Sequence, residues 1–184
     1  RQMCIRDRCY ALKANAHPHL LKILKDEGAW IDAVSPGEVE LAREMGFPGR
    51  KILFTGTSVA KLDLQRVFQQ DDVIVTIDAR EQLDLMKEVK EQAFKNKTIR
   101  VAIRWNPGIG SGFSPKTTTA GQKSSEGLPI KFGIEDRKVL PTFEKAAEYG
   151  FIPAGLHQHL GSGWVSRDYE TVKHAVKKMI LKAS

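Results

Sequence analysis

Lys13 stands in the run Tyr10-Ala11-Leu12-Lys13-Ala14-Asn15, a short apolar stretch that reads as a buried strand. Desolvation disfavours an ammonium and lowers its pKa, and an unprotonated amine is what condensation with a carbonyl compound requires at neutral pH. The plainer use of such a lysine is a side chain that snorkels into solvent from a strand end. A second group is His157-Gln158-His159-Leu160-Gly161-Ser162-Gly163. Residues two apart on a strand point to the same side, so the two imidazoles could share a Zn²⁺ ion. Alternatively, one imidazole stacks on a flat ring while Ser162 and nearby backbone N–H groups hold a phosphate. No further histidine or carboxylate cluster on the strands completes a metal site, which favours the ring and phosphate.

Other polar residues fall near the carboxyl ends of expected strands: Asp32 and Ser35 on the second, Arg104 and Asn106 on the fifth. Each has a structural alternative. Asp32 or Ser35 could cap the helix that begins near Pro36, and Arg104 could pair with a neighbouring acid.

The elements that would position these residues alternate along the chain. Strands are expected at Cys9–Ala14, Ala29–Val34, Lys51–Thr55, Val73–Ile77, Arg100–Trp105 and Ala154–His159, separated by amphipathic segments such as Leu62, Leu64, Val67 and Phe68. The first four strands start about 21 residues apart, the length of one strand, one helix and two short turns, which predicts a parallel sheet with helical crossovers. No glycine-rich dinucleotide turn follows the first strand. The expected fold is therefore α/β, a partial (β/α)8 barrel with about six of its eight units, and the active site lies where loops leave the carboxyl ends of the strands. The one long irregular segment, Asn106–Pro129, leaves the fifth strand at that end and contains Gly108-Ile109-Gly110-Ser111-Gly112 and Thr117-Thr118-Thr119-Ala120-Gly121.

Composition narrows the classes. With 184 residues, 41% hydrophobic and 28% charged, the chain is globular in character. It has no run of eighteen apolar residues and no signal-peptide centre, so no membrane partner and a cytoplasmic location are expected. Two cysteines, Cys4 and Cys9, form neither a disulfide framework nor a metal pattern. The net charge of +7 is spread over helical faces, with its main cluster at Lys173, Lys177, Lys178 and Lys182, and lacks interleaved aromatics, so no nucleic-acid partner is expected.

Five segments in register, Tyr10–Asn15, Ile31–Glu38, Arg104–Gly108, Lys131–Ile134 and His157–Ser162, together resemble the fold type III pyridoxal-phosphate decarboxylases, most closely the diaminopimelate decarboxylase branch. The resemblance runs from Tyr10 to about Ser184. It implies pyridoxal 5'-phosphate as cofactor, conversion of meso-2,6-diaminopimelate to L-lysine and CO₂, an amino-acid substrate and a homodimer. By residue, it implies that Lys13 bonds covalently to the cofactor and that His159 stacks on its ring. It also implies that Ser162 contacts the phosphate, that Gly161 binds the cofactor, that Asp32 and Arg104 line the pocket, and that Lys131 lies near a dimer interface. Arginine, ornithine or carboxynorspermidine decarboxylases, alanine racemases and a non-catalytic pyridoxal-phosphate-binding regulator are the alternatives, and a plastid location applies if the source is a photosynthetic eukaryote.

The resemblance does not extend to residues 1–9, which read as a foreign start, an assembly remnant; residues 10–184 correspond to the N-terminal part of the barrel domain. Family members continue with a glycine-rich phosphate segment, a Glu-Pro-Gly-Arg motif and a β domain with a Cys-Glu motif, none of which is present. Without the acid that protonates the pyridine nitrogen the ring is a poorer electron sink, so this stretch alone is expected not to turn over.

Overall fold

The computed structural model describes residues 9–121 and 132–183. The expectations for residues 1–8 and for Lys131 therefore lie outside the described residues. Among the described residues seven strands and six α-helices follow in the order β1 (Cys9–Ala11), α1 (Pro18–Asp26), β2 (Trp30–Ala33), α2 (Pro36–Glu44), β3 (Ile52–Phe54), α3 (Lys61–Gln69), β4 (Ile74–Ile77), α4 (Gln82–Ala93), β5 (Arg100–Asn106), β6 (Ile134–Glu135), α5 (Val139–Glu148), β7 (Ile152–His157) and α6 (Tyr169–Ala183). Every strand pairing is parallel, and β1 to β5 lie side by side in chain order, with β6 and β7 both paired to β5. A doubly wound sheet would reverse that order at a switch point. The sequential order is that of six β/α units of a (β/α)8-type fold, with β6 a two-residue addition.

The units repeat because the same local signals repeat. Pro18 and Pro36 open α1 and α2, where a fixed φ and a missing N–H suit the first turn. The Ser35 hydroxyl accepts the Glu38 N–H at 3.3 Å, while Glu38 accepts the Val34 N–H at 2.7 Å. Ser35 is thus a helix cap, its structural alternative. Gly46 and Gly150 close α2 and α5 with positive φ, which an L side chain would strain.

Burial follows from this winding. All four residues of β4 are buried, as expected when helices cover one sheet face and the sheet interior the other. Ile31, Ala33, Ile52, Phe54, Val75, Ile77, Val101 and Ile103 from the strands meet Leu21, Val39, Leu64, Val67, Leu83, Met86 and Val89 from the helices in one core. Between α2 and α3 the Arg66 guanidinium spans both carboxylate oxygens of Glu40, with Nε to Oε1 at 2.8 Å.

Two expectations about strand ends need correction. β1 stops at Ala11, and Leu12–Ala14 form a 3-10 turn that carries Leu12 into the core and turns Lys13 outward, so Lys13 is exposed rather than buried in a strand. The last strand spans Ile152–His157 and not Ala154–His159. His159 lies beyond it because the chain is captured by the loop after β5. Leu160 accepts the N–H groups of Ser111 at 3.1 Å and Thr119 at 3.2 Å, Ser162 donates to Thr117 at 3.1 Å, and Phe113 donates to Ser162 at 2.8 Å. Thr118 and Gly161 form an isolated antiparallel bridge at the centre of this junction.

Gly161 makes the close approach possible. It has a φ of +147°, and a Cβ there would lie 2.0 Å from the Ser111 carbonyl oxygen and 2.7 Å from that of Thr117. Gly155 has a similar φ of +157° but nothing within 4 Å of a built Cβ. Backbone strain is thus common to both positions and collision is peculiar to Gly161. Gly161→Ala is expected to destabilise the protein by about 1–3 kcal/mol more than Gly155→Ala, the range for overpacking. Urea unfolding of the two variants measures the difference, and equal losses would show that the junction can yield.

Candidate functional site

The parallel register stacks one polar residue per strand at the carboxyl end. Asp32 on β2 sits opposite Ala11 of β1 and Leu53 of β3. Thr55 follows β3 directly, and Asp78 follows β4, one residue beyond the Ile77–Ile103 pair. Arg104 of β5 is the register partner of His157, the last residue of β7. Lys13 lies two residues past β1, and His159 two residues past β7. Lys13, Arg104 and Asp32 each lie near enough for their charge to act on the His159 ring.

Two pairs organise the floor. The Thr55 hydroxyl donates to Asp32 Oδ1, which ties the ends of β2 and β3. Arg104 is buried, and its Nη1 lies 3.1 Å from Asp78 Oδ1, an ion pair that falls short of hydrogen-bond alignment. The face of Phe132 covers the guanidinium, with 4.8 Å from Cζ to the ring centroid. Burial raises the Asp78 carboxyl above its ordinary range, with Arg104 and a backbone hydrogen bond from Gly133 opposing it. Burial likewise lowers the Arg104 guanidinium, with Asp78 opposing it. Pairing with a neighbouring acid, the structural alternative for Arg104, therefore holds without removing it from the site.

The two histidines are held differently. Burial, reinforced by the Arg104 charge, lowers His157 to about 4, and its Nδ1 is buried with no hydrogen-bond partner. His159 is half-buried and also lowered, by burial first and then by the Arg104 and Lys13 charges. Thr119 Oγ1 lies 2.6 Å from His159 Nδ1 and donates to the His159 carbonyl oxygen at 2.9 Å. Both imidazoles are therefore neutral near pH 7, in a positive field set by Arg104 and Lys13. Among the described residues no group of three or more His, Cys, Asp or Glu is placed to hold a metal ion, and the two rings do not share a strand.

The 157–163 turn is arranged differently from a simple anion nest. Ser162 is exposed, and among the described residues no hydrogen bond engages its hydroxyl, but its own N–H is committed to Thr117. Gly161 is buried and serves the close approach of the loop. Asn106 folds that loop: its Oδ1 accepts the N–H of Gly108 at 3.0 Å and of Gly121 at 2.9 Å, and its Nδ2 donates to Gly121 at 2.9 Å. Beyond the turn, Ser111 donates to the Asp168 carboxylate, and Asp168 accepts the Val165 N–H at 2.8 Å.

Sequence reasoning missed Asp78, Thr55 and Thr119. The rule that singled out Asp32, a polar residue at a strand's carboxyl end, points equally to Asp78 and Thr55. Nothing in the Thr117-Thr118-Thr119 run distinguishes which hydroxyl meets a histidine, because that depends on the long-range junction.

No helix among the described residues is long and apolar enough to cross a membrane. The chain is 36% identical over 154 residues to diaminopimelate decarboxylase of Methanothermobacter thermautotrophicus, covering 84% of this chain and 33% of that protein. It is 32% identical over 173 residues to diaminopimelate decarboxylase of Aquifex aeolicus, covering 94% and 39%. The chain thus spans little more than a third of the length of these relatives. Its fold superposes on diaminopimelate decarboxylase from M. jannaschii in complex with L-lysine with a TM-score of 0.75 and 26% identity, covering 94% of this chain and 38% of that one. A family model described as pyridoxal-dependent decarboxylase, pyridoxal binding domain, matches residues 2–183. With a parallel β/α sheet that brings a lysine, a buried arginine and a neutral histidine to one mouth, the chain belongs to the pyridoxal-dependent decarboxylase family, in its pyridoxal-binding domain.

Proposed function

We propose that the intact protein removes CO₂ from meso-2,6-diaminopimelate to give L-lysine, using pyridoxal 5'-phosphate held at the carboxyl-end mouth, and that it works as a homodimer. The observation that carries this reading is the placement of Lys13 and His159, each two residues past the carboxyl end of its strand in the same parallel sheet, with Asp32 and Arg104 at the strand ends beside them. The named relatives supply the substrate.

The residues fit such a group. A flat, anionic aldehyde asks for an amine, a ring face, a hydroxyl for its phosphate and a cationic surrounding. Lys13, His159, Ser162 and the Arg104 charge are of those types. When bound, pyridoxal phosphate supplies the electron sink that lets a carboxylate leave as CO₂. Lys13 anchors it through its exposed amine. His159, tethered by Thr119 and with its pKa lowered by burial, offers a ring face without adding charge. Arg104 holds a positive field over the mouth, favouring the phosphate and the substrate carboxylates, while Asp78 keeps that charge fixed in place. Asp32, tied to Thr55, balances part of the field. His157 sits deeper, a neutral wall beside Arg104.

Two expectations follow. Borohydride reduction of the intact protein loaded with pyridoxal phosphate, followed by peptide mapping, should place the pyridoxyl group on Lys13, and Lys13→Ala should abolish CO₂ release from meso-2,6-diaminopimelate. Label on another lysine, or a variant that still releases CO₂, would remove Lys13 from its role. The second concerns His157, whose pKa is lowered to about 4 from the ordinary 6.5. The unfolded chain takes up that proton first, so the stabilising contribution of neutral His157 is full above pH 6.5 and is lost as pH falls through 4. Wild-type stability should therefore fall relative to His157→Gln across that window, by up to about 1.4 kcal/mol per pH unit in urea unfolding. A difference that stays constant with pH would show His157 to be solvated.

A further inference from the structure

A single hydroxyl meets the same histidine twice. Thr119 Oγ1 lies 2.6 Å from His159 Nδ1 and 2.9 Å from the His159 carbonyl oxygen. A threonine hydroxyl has one proton to donate and lone pairs to accept with. A carbonyl oxygen can only accept, so the 2.9 Å approach is favourable only if the hydroxyl proton points at the carbonyl. The lone pair then left for the ring must receive a proton from it, which makes Nδ1 the protonated nitrogen. The reverse assignment, with Thr119 donating to Nδ1, would press two oxygen lone pairs together at 2.9 Å.

We propose that Thr119 is a positioning residue that holds His159 as the neutral Nδ1–H tautomer with its ring orientation fixed, leaving the Nε2 lone pair unprotonated. Which nitrogen of a histidine carries the proton is set by the hydrogen bond the other nitrogen makes. Among the described residues the side-chain hydrogen bonds engage Nδ1 and none engages Nε2. The neutral state that the tautomer requires is supported by burial and by the nearby Arg104 and Lys13 charges, with Asp32 opposing them.

Thr119 can do this because its own place is overdetermined. Its N–H donates to Leu160 at 3.2 Å, the Thr118–Gly161 bridge lies on one side of it, and the Asn106–Gly121 pair of hydrogen bonds on the other. The hydroxyl therefore arrives at His159 from a backbone that cannot follow the ring if the ring turns. The consequence rests on the reading of the mouth as a pyridoxal-phosphate site: a ring locked by one hydroxyl presents a fixed face and a fixed acceptor, so the entropy of orienting it is not lost when the flat ligand binds.

The test uses the intact protein with ¹⁵N-labelled histidine, without added ligand, and two-bond ¹⁵N–¹H correlation spectra that assign the tautomer of His159. Wild type should show the proton on Nδ1. Thr119→Val, nearly isosteric but without the hydroxyl, should move it to Nε2, and Thr119→Ser should restore the Nδ1–H form. With pyridoxal phosphate as probe, Thr119→Val should bind about two- to tenfold more weakly, the loss of one neutral hydrogen bond, and Thr119→Ser should recover most of it. A wild-type His159 in the Nε2–H form, or a Thr119→Val spectrum unchanged from wild type, would overturn the proposal. A protein whose His159 follows the tautomer pattern but that does not bind pyridoxal phosphate would support the positioning role while removing the functional reading of the mouth.

Discussion

The parallel register of the sheet is the constraint on which the site depends. Side chains alternate across a strand, so a slip of one residue would turn every polar residue at the carboxyl ends to the opposite face. The pairing of Ala11 with Asp32, of Ile77 with Ile103 and of Arg104 with His157 fixes which residues reach the mouth. The apolar residues pin that register. Ile31 and Ala33 flank Asp32 and are fully buried, and the buried Ile103 and Trp105 flank Arg104 on β5, so the hydrophobic effect that buries them also aims the polar residues between them.

A second constraint is layered on the first. The loop after β5 and the turn after β7 are not close in sequence, yet they interlock through backbone hydrogen bonds around Gly161. The interlock ends β7 at His157 and sets His159 beside Thr119 instead of leaving it on an extended strand. It also explains why the two histidines differ. His157 obeys the sheet, with its Nδ1 buried and unpartnered, whereas His159 obeys the junction, with its Nδ1 against Thr119. The buried Arg104–Asp78 pair joins both constraints. It stands one residue beyond the β4–β5 pairing and receives a backbone hydrogen bond from Gly133, just before β6. Breaking one partner of such a pair leaves an uncompensated buried charge.

Much of this was legible in the chain. The spacing of apolar runs foretold the strands, which begin at residues 9, 30, 52 and 74, and the absence of a dinucleotide turn steered the fold toward sequential winding. The grouping of Lys13, Asp32, Arg104 and His159 at one end followed from their positions at strand ends. Lys13 itself was misjudged in one respect: its apolar neighbours suggested burial, but a 3-10 turn exposes it, and local composition does not reveal where a strand gives way to a turn. The period-two pattern likewise carried the last strand two residues too far, because its end is set by a bridge to Thr118, 43 residues earlier in a loop with no periodicity. Thr55 and Asp78 follow their strands directly, where the rule that picks Asp32 also applies, whereas the pairings of Thr55, Asp78 and Thr119 with Asp32, Arg104 and His159 were beyond it. Their partners are long-range, and a single sequence encodes such partners only through the fold.

The central claim is that the carboxyl-end mouth, and no other surface, receives pyridoxal phosphate. Backbone hydrogen exchange of the intact protein, compared with and without saturating pyridoxal phosphate, tests it most directly. Slowed exchange should be confined to the segments around Lys13, Ser35, Asn106 and Leu160–Gly163, while the opposite turns at Gly28, Gly46 and Gly150 stay unchanged. Protection at those opposite turns, or none at the mouth, would contradict it.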